Sequence, residues 1–320
     1  MGHERQPRSA ARGLGWTAVL TLGLLAAHAG AAPILYGQEV TVYATVTGPS
    51  EIEFAPDGAL FAAHNSPSNG AARLYRIPPG GGAAVEWGSA SPQDPDGIDV
   101  YGGKVYAAAE DHVWQGDLAT GAMATWTTWS GGRNMTTIAV DKLGDYGDAG
   151  DVVIGSARYG NDIELISATT RQTTMSVSSG DLYVPRGLLF ATGTLYCVES
   201  SATEGIWAIG PAGGLTRVSD GGFAWGSPSA LLYDPVEDVF YVADNGRDEI
   251  LRVPRVGGTP VVVGTGFTEV YGLAMGGDGR IYVADTTSNV VWVAIPEPTT
   301  IALLSVGLLL PVWRRRRRQA

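Results

Sequence analysis

One unit is written six times along this chain, and a repeat of that length leaves few folds open. Each unit begins with a short apolar strand: Glu51–Phe54, Gly97–Val100, Thr137–Val140, Gly187–Phe190, Ala230–Tyr233 and Gly272–Met275. From Ile52 the second position of these strands recurs after 46, 40, 50, 43 and 42 residues. A tight turn such as Pro56-Asp57-Gly58 or Gly277-Asp278-Gly279 follows. A second strand comes next: Leu60–Ala63, Val105–Ala108, Val152–Gly155, Leu195–Val198, Phe240–Ala243 and Ile281–Ala284. A third carries an apolar pair such as Leu74-Tyr75 or Ile250-Leu251, and a more variable fourth ends near Trp87, Trp126, Val177, Val218 and Val263. Four strands per repeat, with no helical periodicity between them, predict propeller blades. The expected architecture is all-β, a single six-bladed propeller over residues 32–294.

The sixth unit lacks its fourth strand, because the chain changes character after Val291-Trp292-Val293. Glu39–Ala44 stands before the first unit at the spacing of a fourth strand, and is predicted to complete the sixth blade. Such closure removes the open sheet edges that a linear array would expose. Asp238–Val253 and Arg280–Val293 resemble NHL-type blades, with a good fit over residues 184–293 and a looser one before. The body as a whole resembles the six-bladed group that includes gluconolactonase-like (SMP-30) enzymes. That resemblance implies a fold; function must be read from a site.

Both ends read as addresses. Residues 1–31 have the order of a signal peptide: Arg5, Arg8 and Arg12, an apolar stretch from Trp16 to Ala27, then the small residues Ala29-Gly30-Ala31. At the other end, Pro296-Glu297-Pro298 precedes an apolar run over residues 299–313, which is followed by Arg314, Arg315, Arg316, Arg317 and Arg318. The arginines would hold that side in the cytoplasm, with a minimal membrane-spanning segment before them. Residues 295–320 closely resemble the PEP-CTERM sorting signal. The resemblance implies an exosortase partner, transient anchoring through 299–313, removal of the tail near Pro296-Glu297-Pro298, and a destination at the cell surface, outer envelope or extracellular matrix, where exopolysaccharide or another surface protein could be bound.

The chain carries 21 basic and 32 acidic side chains, a net charge of −11. Eight of the arginines lie in the two ends, so the body is more acidic still. A body of that sign repels phosphate backbones, which excludes nucleic acid as a partner. Cys197 is the single cysteine, so no intramolecular disulfide can form, and its strand-like surroundings suit a buried small hydrophobe.

Catalytic chemistry is sparse. His64 and His112 are the histidines of the body, neither in a zinc-binding spacing, and there is no Gly-x-Ser-x-Gly elbow. No catalytic residue is assigned. Glu199, Asp244 and Asp285 each end a second strand on one rim of adjacent units, where they could hold Ca²⁺ or cap their own turns. Capping is the better fit, so no cofactor is expected. Asp145, Asp148 and Asp151 sit in an enlarged turn that lacks the ligand order of an EF-hand. Trp126, Trp129, Trp225 and Tyr271 lie near connections between units and would suit stacking on sugar rings if exposed. Gluconolactonase-like enzymes hold a divalent cation at the channel mouth. The matching positions here are Ser50, Asp96, Thr136, Arg186, Ser229 and Tyr271, of which Asp96 alone suits a metal. Arg186 opposes a cation and suits a pair with Asp96 or a polar or anionic ligand. Glu51, one residue off, would point to the opposite face in regular register. The expected function is a non-enzymatic binding or structural module; the alternative is a metal-dependent lactonase.

Overall fold

The computed structural model describes residues 32–64, 73–90, 92–129, 134–157, 162–201, 203–219 and 221–294. The signal-peptide reading of 1–31 and the sorting-signal reading of 295–320, with Pro296, Glu297, Pro298 and Arg314 to Arg318, lie outside the described residues. Every regular element described is a β-strand, with no helix among them.

The strands form antiparallel meanders in the order the repeat predicts. Four of them are separate four-stranded sheets, each running from a first strand to a fourth: Pro49–Phe54 to Val85–Trp87, Pro95–Tyr101 to Met123–Thr128, Met135–Val140 to Thr173–Ser178, and Pro185–Ala191 to Leu215–Arg217. Units five and six depart from the expectation of separate blades, because they share one ten-stranded sheet. The reason is local. The two-residue strand Ile34–Leu35 pairs on one side with Val261–Thr265 of unit five and on the other with Gln38–Thr45. Gln38–Thr45 in turn pairs antiparallel with Val290–Ala294, the last strand of unit six. The strand before the first unit therefore does supply the missing edge, and two extra residues bridge it to the neighbouring unit.

What joins the sheets is burial on both faces. The second strands are covered on either side, so they read as continuous apolar runs and not as alternating ones. Phe61, Ala63 and Leu74 pack against Ile98, Val100 and Val105 of the next sheet. Tyr106 and Val113 pack against Ile138 and Ile154. Clusters of the same kind join units three to four, four to five and five to six. The last one sets Tyr282, Ala284 and Val291 against Ile52, Leu60 and Ala62, returning to the first sheet. The first strands follow the same cyclic order, each against the next, with Val270–Met275 against Pro49–Phe54. The arrangement is propeller-like.

The joints between first strands are of two kinds. A side chain at Gly97 would sit 2.8 Å from the Ile138 nitrogen, and one at Gly187 or Gly272 would run into the backbone of Leu231 or Ser50. Glycine is required there because backbone meets backbone. Elsewhere hydroxyls bridge the strands. Thr136 donates to the Pro185 carbonyl, Leu188 N–H donates to Thr137 Oγ1 at 3.0 Å, and Ser229 donates to the Tyr271 carbonyl at 2.9 Å.

Candidate functional site

Each first strand carries a bulge near its start, and the bulges decide where side chains point. Asp96, Thr136, Ser229 and Tyr271 are each the extra residue opposite one residue of the second strand. Ser50 and Glu51 together face Ala63, and in unit four the irregularity falls just after Arg186. A bulge re-aims the side chains around it. Ser50 and Ser229 turn back to the carbonyls of Ala63 and Ala243, and Thr136 to those of Gly155 and Pro185. All three are buried, as is Asp96. Arg186 donates to the Tyr271 hydroxyl, with its guanidinium 5.3 Å from that ring's centroid. Burial raises the Tyr271 pKa; Arg186 opposes the rise, while Asp96 and Glu51 add to it. Arg186 thus links the first strand of unit four to Tyr271 on the first strand of unit six.

None of these six positions borders the cavity on the axis. That space, about 550 Å³, lies where all six first strands meet, and it is lined by Glu51, which the regular register would have turned away. Glu53, two residues on, lines it too, as the period of a strand requires. Asp99, the residue of unit two equivalent to Glu53, completes an ionic group with Lys142. Lys142 Nζ lies 2.8 Å from Asp99 Oδ1 and 3.3 Å from Glu53 Oε1. Asp99 also accepts N–H bonds from Val100 at 2.6 Å and Val140 at 2.7 Å. Burial, with Asp99 beside it, pushes the Glu53 carboxyl up to about 7 despite the Lys142 ammonium. Glu51 is raised well above the usual carboxylate range by burial first and by Glu53 second. The two carboxylates hold the Lys142 ammonium above its ordinary range against its own burial. The opposite wall is apolar, built by Leu188, Leu189, Phe190, Leu231, Leu232 and Leu273. Sequence reasoning did not single out Glu53, Asp99 or Lys142. The available signal was an acid at the same position of two successive first strands.

Glu199, Asp244 and Asp285 have no exposed surface. Glu199 accepts the N–H groups of Tyr183, Val184 and Ser201 at 2.8–2.9 Å. Asp244 accepts those of Gly226 and Ser227, and Asp285 those of Thr268, Glu269 and Ser288. Each therefore ties down the connection leading into the first strand of its own unit. Among the described residues no three His, Cys, Asp or Glu side chains are grouped to hold a metal.

The enlarged turn of unit three is more ordered than a solvated loop. Asp141 gathers the N–H groups of Gly144, Asp145 and Tyr146, while buried Asp151 accepts from Ala168 and Asp148. Tyr146 reaches the next sheet, donating to the Ile209 carbonyl and packing on Phe190. Asp145 borders the cavity. Two of the expected surface aromatics are core residues: Trp126 is buried in the cluster between units two and three and Trp225 in that between units four and five, because inter-sheet packing takes up their rings. Trp129 is half-buried and donates to Glu164. Cys197 has no exposed surface, and burial raises its thiol pKa.

Comparison with solved structures places this architecture among known propellers. Regucalcin, a calcium-binding protein from Agrobacterium tumefaciens, superposes with a TM-score of 0.61 at 15% identity, covering 82% of this chain and 93% of that one. An auxiliary nutrient binding protein from Bacteroides ovatus gives 0.64 at 9% identity, covering 83% and 77%. A chain of a nidogen/laminin complex gives 0.57 at 18% identity, covering 77% and 89%. At such identities the likeness is one of fold. No protein-family profile and no curated protein sequence matches the chain.

Proposed function

We propose that the chain is a six-bladed β-propeller, exported to the cell surface or extracellular matrix, that works as a binding module and not as a hydrolase. The blade count rests on treating the ten-stranded sheet as two four-stranded units in the register of the other four, with Ile34–Leu35 as the bridge between them and Gly82–Ala83 of unit one as a short parallel addition to Gln38–Thr45. The observation that carries the function is the axial cavity: it is bordered by every first strand, and its carboxylates already enclose an ammonium. A metal-dependent lactonase needs several oxygens converging on a divalent cation. At the mouth, the hydroxyls of Ser50, Thr136 and Ser229 are engaged by backbone carbonyls and Arg186 adds a fixed positive charge. In the cavity, Lys142 stands where Glu53 and Asp99 converge. These donor sets do not fit the metal of the gluconolactonase-like enzymes. The full-length chain, assayed on simple lactones with Ca²⁺, Zn²⁺ or Mn²⁺, is expected to show no turnover. Metal-dependent hydrolysis lost in Asp96→Ala would overturn the binding reading.

Export and sorting rest on the order of segments at the two ends: leader 1–31, Pro296-Glu297-Pro298, the apolar run 299–313 and Arg314–Arg318. Exosortase is the proposed processing partner and exopolysaccharide or another surface protein the proposed surroundings. Mass spectrometry of surface material is expected to find the chain without its arginine tail, and intact Arg314–Arg318 there would refute processing.

A further inference from the structure

We propose that the axial cavity binds a small organic cation with an apolar body, such as an alkylammonium, with its head at Glu51 and Glu53 and its body on the leucine wall. This deepens the binding-module reading and depends on it.

The argument starts from the division of the cavity. Among the described residues, units one, two and three place Glu51, Glu53, Asp99, Asp145 and one cation, Lys142, on its border. Units four, five and six supply hydrocarbon: Leu188, Leu231, Leu232 and Leu273. The volume of about 550 Å³ is that of a small-molecule site. The charges do not cancel internally. Asp99 and Glu53 share the Lys142 ammonium, and Asp99 is further held by two backbone N–H groups. Glu51 has its own-strand Ile52 N–H and no ion pair among the described residues. It shares a strand face with Glu53, with Asp99 facing it from the second unit and Arg186 from the fourth. With Arg186 already bonded to Tyr271, a cation seated between Glu51 and Glu53 would offset the repulsion that arises once both ionise. A bare metal ion would fit poorly, since the other half of the cavity offers no carboxylate and only the hydroxyls of Thr192 and Tyr233, the latter donating to Asp238. An anion would have to compete with Asp99 and Glu53 for Lys142.

Proton linkage follows from the same geometry. Glu51 and Glu53 both hold protons above the usual carboxylate range, so a bound cation drives them to ionise and releases protons. Affinity for the cation therefore rises from pH 6 to pH 8.

Calorimetric titration of the full-length chain with n-hexylammonium, n-hexanol and n-hexanoate tests this. Hexylammonium is expected to bind about tenfold or more tighter than hexanol at pH 8, and hexanoate more weakly than either. Its binding heat at pH 7 should differ between phosphate and Tris by the ionisation heat of the released protons. Glu51→Gln should remove the preference for the cation and leave hexanol binding unchanged, while the exposed Glu39→Gln should change neither. Equal binding of hexylammonium and hexanol would overturn the charge assignment and leave the binding module standing, whereas lactone turnover would remove the module itself. A preference for hexanoate, or no binding by any of the three, would also overturn the proposal, independently of whether the variants fold.

Discussion

At the residue scale, the three fully buried carboxylates Glu199, Asp244 and Asp285 act as anchors for backbone. Asp244→Ala would strand the N–H groups of Gly226 and Ser227 just before the first strand of unit five. The expected cost is about 2 kcal/mol, read from urea unfolding with the slope unchanged. Asp244→Asn should cost less because it keeps one acceptor. Glu53 behaves differently. Its folded pKa, about 7, lies above the ordinary 4.5, so the folded state holds the proton more tightly. Its contribution to stability is full below about pH 4.5, falls as pH rises towards 7, and is level above. Screening at this half-buried position leaves an effect on the order of 1 kcal/mol. Glu53→Gln is expected to flatten that part of the stability profile; a profile unchanged from the wild type would contradict the assignment. The anchoring acids were visible in the sequence because they recur at one position in successive units. Glu51 was not, since a strand read with strict alternation turns it away from the axis, and the bulge at Ser50–Glu51 breaks that alternation. Trp126 and Trp225 misled for a related reason. Sequence places an aromatic beside a connection, but inter-sheet packing decides whether it is covered.

At the element scale, the first strands were legible except at their starts, each of which lies two residues earlier, beyond the bulge, while the joints between them were not legible. Apolar pattern and turn chemistry mark a strand locally; the partner across a joint lies far along the chain, from Gly97 to Ile138 or from Gly272 back to Ser50, and nothing in its pattern names it. Gly272 is the sharpest case. It reads as a weak strand residue, yet an added methyl would meet the Ser50 carbonyl of the first unit. Gly272→Ala is expected to destabilise by about 3 kcal/mol, against less than about 0.5 kcal/mol for Gly277→Ala, which faces open space. Comparable melting of the two variants would show that this joint has slack.

For the whole molecule, the clasp made by Ile34–Leu35 and Gln38–Thr45 holds units five and six in one sheet. Deleting residues 32–46 exposes the edges of Val261–Thr265 and Val290–Ala294 and removes Leu35 and Val40 from the core. A single, lower melting transition is expected, lost as one unit and not blade by blade. An unchanged melting temperature would mean that the ring does not depend on its clasp. The repeat length announced this clasp, but the extra bridge to unit five was hidden, because two residues are too few to carry a pattern.

The glycine contacts have a parity. They fall between units two and three, four and five, and six and one, while the hydroxyl bridges of Thr136, Thr137 and Ser229 fall between three and four and between five and six. Five of the six joints thus alternate between bare backbone contact and a hydroxyl bridge. Neighbouring units are therefore not interchangeable: a unit moved one place along the chain would present a side chain where its neighbour's backbone leaves room for none.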